Sequence, residues 1–189
     1  IALTVSEGDY NMNWGEAESD IAKGDYQLNI QFKGKVNTSS DGMYLSRFEE
    51  NNYIFTQFED MHARKAFPSF DEPAFKIAYQ MTITSPEKHV VVSNTPVASR
   101  TVENGEQTVV FEKTKPMPTY LIAYAVGPFD SAELTGLSVP GKVYVPKGYA
   151  DKTKFVVKHT PEILASLEAF FDIKYPYKKL DFVAVPNFT

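Results

Sequence analysis

The densest run of residues able to do chemistry is Thr56-Gln57-Phe58-Glu59-Asp60-Met61-His62-Ala63-Arg64-Lys65, continued by Ala66-Phe67-Pro68-Ser69-Phe70-Asp71-Glu72-Pro73. Carboxylates and cations alternate with aromatics and prolines, in a place where strands ordinarily connect through short turns. Such a run reads either as an ion-paired connection between two strands or as a loop that faces a ligand. The histidines His62, His89 and His159 never stand four residues apart, the spacing that sets a zinc pair on one helix face, and His159 leads into Thr160-Pro161-Glu162 instead of a second histidine. No metal site is expected within the chain. A Gly-x-Ser-x-Gly elbow and a phosphate loop are also absent, so no catalytic residue is assigned.

Composition narrows the classes further. A chain of 189 residues with 43% hydrophobic and 14% aromatic residues can bury one core and part of a second. Acidic side chains outnumber basic ones, 24 to 19, with no cationic run to neutralise phosphates, so nucleic acid is not an expected partner. With no cysteine, disulfides, thiolate metal sites and a cysteine nucleophile are excluded. No apolar run reaches the roughly 18–20 residues that a membrane helix needs, and Ile1 to Gly8 lack the charged and apolar regions of a signal peptide.

Period-two alternation supplies the elements that must hold the polar run. Tyr26, Leu28, Ile30 and Phe32 alternate with polar neighbours, which predicts a strand, and Phe75 to Ile83 repeat the pattern until Ser85-Pro86 ends it. Shorter strands are expected at 53–58, 89–93, 108–113, 120–126 and 142–145, with Asn104-Gly105 as a hairpin turn between Val102 and Val109. The chain is therefore read as mainly β, an antiparallel β-sandwich or related sheet structure over residues 1–131. After Pro146-Lys147-Gly148 a helix is expected from Asp151, as its cap, to Phe171, with Pro161 kinking it or dividing it at Thr160. An apolar strand at 182–185 then completes a partial α/β segment, 132–189.

Three stretches, in order, resemble the aminopeptidase N (gluzincin) family. Thr56 to Pro73, TQFEDMHARKAFPSFDEP, is similar to the signature of that family's N-terminal domain, with Ser69 where cysteine is common. Pro116 to Phe129, PMPTYLIAYAVGPF, resembles the strand that closes this domain, and Tyr175 to Phe188, YPYKKLDFVAVPNF, resembles the segment before the Gly-Ala-Met-Glu-Asn substrate motif. That motif, the His-Glu-x-x-His helix, the later glutamate ligand and the transition-state tyrosine would all follow Thr189. The family's opening strands are expected to be missing, since Ile1 to Lys23 does not read like them. A piece of a longer protein is expected, inactive by itself.

The resemblance implies a saddle-like β-sandwich followed by the start of a thermolysin-like catalytic domain. It also implies zinc in the parent, held by residues outside this chain, and the N-terminus of a peptide as substrate. On the same ground Glu59 falls where the family binds the substrate's α-ammonium, and Gln57 borders the pocket for the first side chain. Arg64, Asp71 and Glu72 are read as structural, fixing the shape of the loop. The expected partners are the peptide and the remainder of the catalytic domain, with self-association through sheet edges or apolar patches left uncovered. Two competing readings remain open: a relative that keeps the fold without the zinc ligands and serves as a scaffold, and a carbohydrate-binding β-module, for which Trp14 offers little stacking surface.

Overall fold

The structure is a computed structural model that describes residues 3–7 and 13–186. The chain divides into two compact units, Ile1–Gly34 and Lys35–Thr189. In the first, β1 (Leu3–Glu7) and β2 (Asn13–Ala17) pair antiparallel, from Leu3 opposite Ala17 to Glu7 opposite Asn13. The strand expected at 26–32 is not formed. Tyr26, Leu28, Ile30 and Phe32 are all more than half exposed and the segment has no regular structure. Alternation makes a strand only where a neighbour accepts its backbone hydrogen bonds and a second layer covers the apolar row. Neither is supplied to this segment among the described residues of its unit.

The second unit is built from three sheets and one helix. β3 (Gly42–Phe48) and β4 (Asn51–Gln57) form a hairpin in register from Gly42 opposite Gln57 to Phe48 opposite Asn51. With β9 (Tyr124–Gly127) and β6 (Val90–Ser93) they make a four-stranded sheet ordered β3-β4-β9-β6. A second antiparallel sheet, β5-β8-β7, joins β5 (Thr82–Pro86), β8 (Glu106–Phe111) and β7 (Val97–Glu103). Its β7–β8 turn is Asn104-Gly105, with φ of 53° and 80°, the left-handed pair that a two-residue hairpin requires. The strand expected at 75–83 starts only at Thr82. Upstream of it the partner segment carries Pro116 and Pro118, which have no N–H to donate, and pairing shrinks to one bridge between Ile77 and Met117. The Tyr79 N–H is satisfied by the Thr114 hydroxyl instead of a backbone carbonyl.

The third sheet is mixed. β10 (Phe129–Glu133) runs antiparallel to β11 (Gly141–Pro146), and β11 runs parallel to β12 (Leu180–Val183) after crossing through α1 (Lys154–Phe171). A parallel pair needs such a crossover, and this β-α-β unit is the α/β segment expected at the C-terminal side. A 3-10 turn at Ala150–Thr153 precedes the helix, so Asp151 lies in that turn and Thr153, without a side-chain capping bond, takes the N-cap position. Pro161 neither ends nor divides α1. Proline leaves the Val157 carbonyl without its helical partner, and the buried Thr160 donates its hydroxyl to the adjacent Val156 carbonyl at 2.7 Å. Val156 and Val157 meanwhile pack on Leu134, Val143 and Val145, which holds the turn from beneath.

The main core lies between the four-stranded and mixed sheets, where Tyr44, Tyr53, Phe55, Ala125 and Phe129 meet Tyr144 and Val183. Gly127 is required there: a Cβ on it would lie 2.4 Å from the Tyr53 ring. A smaller cluster, Phe58, Ala63 and Ile122, backs the polar run and includes Phe67, Tyr79 and Met117 at its edge. The far face of α1 is uncovered, with Phe155, Ile163, Phe170 and Phe171 each more than half exposed. An apolar groove of about 420 Å³ runs between that helix and residues 173–182. No helix among the described residues is long and apolar enough to cross a membrane.

Candidate functional site

β4 delivers the polar run. Gln57 is its last residue, half-buried and paired with Gly42 on β3. Phe58 follows at 1% exposure, wedged edge-on against Phe67 and Tyr124 in the cluster with Ala63 and Ile122. The chain then leaves the core: Glu59, Asp60 and Met61 are exposed, and the Glu59–Asp60 peptide is cis. The Glu59 carboxylate has no hydrogen bond or ion pair among the described residues, which leaves it available to a cation from outside.

The chain re-enters the core one turn later. The His62 N–H donates to the Phe58 carbonyl at 2.9 Å, and a 3-10 turn at Ala63–Lys65 buries Ala63 completely. Asp41, just before β3, lies between the His62 imidazole and the Lys65 ammonium and contacts both. Arg64 and Asp71 are brought together by three donors. The Arg64 backbone N–H and Nε donate to Asp71 Oδ2 at 2.9 and 3.3 Å, and Nη2 donates to the Asp71 backbone carbonyl at 2.6 Å. The other carboxylate oxygen, Oδ1, accepts the hydroxyl of Thr119. Asp71 is 3% exposed, whereas Glu72 points to solvent and only its backbone carbonyl is used, by the Phe75 N–H. The structure thus draws Arg64 and Asp71 into one buried knot and leaves Glu59 and Glu72 outside it.

Beside Gln57 the sheet opens. β4 and β9 share a single register pair, Ile54 opposite Val126, and beyond it they separate. The Thr56 hydroxyl spans the gap, accepting the Tyr124 N–H at 3.1 Å and donating to the Tyr124 carbonyl at 3.4 Å. A cleft of about 280 Å³ lies there, lined by Thr56, Asn94 and Tyr124 on one side and Lys179, Asp181 and Val183 on the other. Lys179 crosses it to donate to the Ser93 carbonyl at 2.6 Å while paired with Asp181. Burial pushes the Tyr124 phenol up to about 12, so it stays protonated at neutral pH; its hydroxyl donates to Met43 Sδ at 3.1 Å.

Sequence reasoning did not single out Asp41, Thr56 or Thr119. All three act through contacts between segments distant in the chain, and a lone Thr or Asp carries no local signal of that.

Residues 4–121 match the Peptidase M1 N-terminal domain. The chain belongs to the M1 peptidase family. The match begins at residue 4, so residues 4–23, expected to lie outside the family's pattern, belong to the family domain. Relatives include aminopeptidase M1-D of Oryza sativa subsp. japonica, 35% identical over 92% of this chain, and aminopeptidase A of Gloydius brevicauda, 36% identical over 92%. Aminopeptidase N of Acetobacter pasteurianus is 34% identical over 88%. This M1 chain spans 20% of the rice protein, 19% of the Gloydius protein and 49% of the Acetobacter one. Asn187 and Phe188, which end the third resembling stretch, lie outside the described residues.

Zinc does not fit the described residues of this chain, among which no group of three His, Asp or Glu side chains is placed to hold a metal ion. His62 is engaged with Asp41, and His159 stacks on Phe155 at 4.5 Å between ring centres. Burial holds the His89 imidazole below its ordinary value, with Lys88 acting in the same direction.

Proposed function

We propose that this chain is the N-terminal β-domain, residues 1–131, and the beginning of a thermolysin-like catalytic domain, 132–189, of a zinc aminopeptidase that removes N-terminal residues from peptides. Zinc and its ligands belong to other parts of the parent, and the chain alone neither binds zinc stoichiometrically nor turns over substrate. Its contribution is recognition. Glu59 receives the substrate's α-ammonium, and Gln57, at the end of β4, borders the space for the first side chain. The remainder of the catalytic domain covers the exposed face of α1.

The observation that carries this reading is the state of Glu59: an exposed carboxylate without a partner among the described residues, on a short loop flanked at both ends by buried groups. A carboxylate partly dehydrated by the arriving substrate gains more from pairing with an ammonium than it does in water. Glu59→Gln in the full-length parent keeps the size and removes the charge. Loss of one partner of such a pair costs about 2–5 kcal/mol, nearer the lower end where other acidic groups share the ammonium. Catalytic efficiency on a free-amine substrate should fall at least about tenfold, mainly through KM. Unchanged KM and turnover would return Glu59 to the role of a solvated loop residue.

A further inference from the structure

Loop 59–62 is closed on itself by the His62 N–H and touched at His62 by Asp41, and each of its two flanks is anchored by a group from one short segment far away in sequence. Before the loop, Phe58 packs on Ile122. After it, the Arg64 backbone N–H is held by Asp71, whose second oxygen is held by Thr119. Thr119–Leu121 is a single 3-10 turn whose end hydrogen-bonds back, the Ile122 N–H donating to the Thr119 carbonyl at 3.0 Å. Thr119 is 1% exposed and Ile122 2%, so neither contact is open to replacement by bulk water.

We propose that this turn is a pedestal for the recognition loop and that Thr119 is a positioning residue for the Glu59 carboxylate. The inference rests on the reading of Glu59 as the ammonium partner. Two of the three donors that Asp71 receives at its carboxylate belong to Arg64 and bind Oδ2; the third, the Thr119 hydroxyl, binds Oδ1. Without that hydroxyl, Oδ1 is left in a dry site with no donor, and a buried acceptor in that state turns toward another donor or draws in water. Turning rotates the carboxylate, an inserted water displaces it, and either takes with it the Arg64 N–H, the bond that holds the C-terminal flank of the loop. Glu59 touches none of these groups, and its angle of presentation is nevertheless set by them. Displacements of about an ångström at a positioning group suffice to weaken substrate recognition.

The test is a double-mutant cycle in the full-length parent. Thr119→Val preserves the shape and deletes the hydroxyl; Thr119→Ser preserves the hydroxyl. Thr119→Val should raise KM for a free-amine substrate by about tenfold with kcat changed by less than about twofold, and Thr119→Ser should restore most of the loss. In a Glu59→Gln background Thr119→Val should add little, because two residues that act through one contact are not additive. A wild-type KM for Thr119→Val beside a raised KM for Glu59→Gln overturns the pedestal and leaves the ammonium reading standing. So does a KM increase that simply adds to that of Glu59→Gln. If Glu59→Gln itself has no effect, the ammonium reading fails, and the pedestal's purpose fails with it. Should Thr119→Val not fold, Thr119→Cys takes its place: its weaker S–H donor must raise KM part of the way, and an unchanged KM overturns the proposal.

Discussion

Asp71→Asn is the substitution whose cost follows most directly from the geometry. The native carboxylate accepts from the Arg64 N–H, Arg64 Nε and the Thr119 hydroxyl, and it is 3% exposed. An asparagine offers one oxygen and one NH2 in the same volume. If the oxygen faces Arg64, the NH2 meets the Thr119 hydroxyl, which must then turn to accept; if it faces Thr119, the NH2 opposes two Arg64 donors. The first orientation satisfies the side chain but leaves the Thr119 hydrogen without its acceptor, the second leaves the Arg64 donors unmet, and the charge-assisted character of the Arg64 bonds is lost either way. Hydrogen bonds to a charged group contribute about 1.5–3 kcal/mol each, and breaking a fully buried pair costs about 3–5. The Arg64 side chain is 27% exposed and recovers part of its loss by hydration, which brings the expected cost to about 2–4 kcal/mol. For a unit of this size that is a Tm lower by about 4–16 °C. The assay has to report on Lys35–Thr189, and Trp14 lies in the other unit, so tryptophan fluorescence is the wrong probe. Far-UV circular dichroism or tyrosine fluorescence during a thermal ramp is the right one. A Tm within about 1 °C of wild type would refute the claim that the knot stabilises the unit.

Two further outcomes test other parts of the fold. Glu168 accepts hydrogen bonds from the Lys174 ammonium, the Tyr175 N–H and the Ser138 hydroxyl, which together hold its carboxyl below the ordinary value of 4.5, with Lys174 the leading cause. A depressed carboxylate contributes stability that is complete above its unfolded value and is lost as pH falls through the folded one. Wild type should therefore lose stability below pH 4.5 more steeply than Glu168→Gln, as followed by urea midpoints against pH, and parallel slopes would count against the assignment. Gly127→Ala places a methyl 2.4 Å from the ring of the fully buried Tyr53, an overpacking expected to cost about 1–3 kcal/mol. A thermal ramp that shows no loss of Tm would mean the ring yields at no cost.

The sequence was most legible where a strand has a regular partner. The segments at 53–58, 89–93, 108–113 and 142–145 became β4, β6, β8 and β11 within a few residues, because each has a real neighbour, on both sides for β4, β8 and β11 and on one for β6. It misled at 26–32 and 75–81, where the same alternation lacks a partner or meets a proline-broken one. Periodicity describes what a strand would bury and says nothing of whether a neighbour exists. Arg64, Asp71 and Glu72 read alike as fixing the loop, and nothing in their residue types separates Asp71, which meets Arg64, from Glu72, which faces solvent. Thr119 was not singled out, because 48 residues separate it from Asp71 and a threonine in Pro-Thr-Tyr has many ordinary uses.

Groups that hold the loop are buried and mutually satisfied: Phe58, Ala63, Asp71, Thr119 and Ile122 are all 3% exposed or less. The group proposed to meet substrate is exposed and has no partner among the described residues, so it contributes almost nothing to folding, and exposed substitutions away from such contacts usually stay within about 0.5 kcal/mol. A recognition residue built this way can change its charge without endangering the fold, while its direction is fixed by residues that cannot change without cost. Glu59→Gln should then alter KM and leave Tm untouched, whereas Asp71→Asn should alter Tm and, through the Arg64 bond that holds the C-terminal flank of the loop, KM as well. Thr119→Ser should leave KM near that of wild type and lower Tm slightly, because one buried methyl is lost. A Tm that falls on Glu59→Gln would contradict this separation, because it would show that the carboxylate supports the fold.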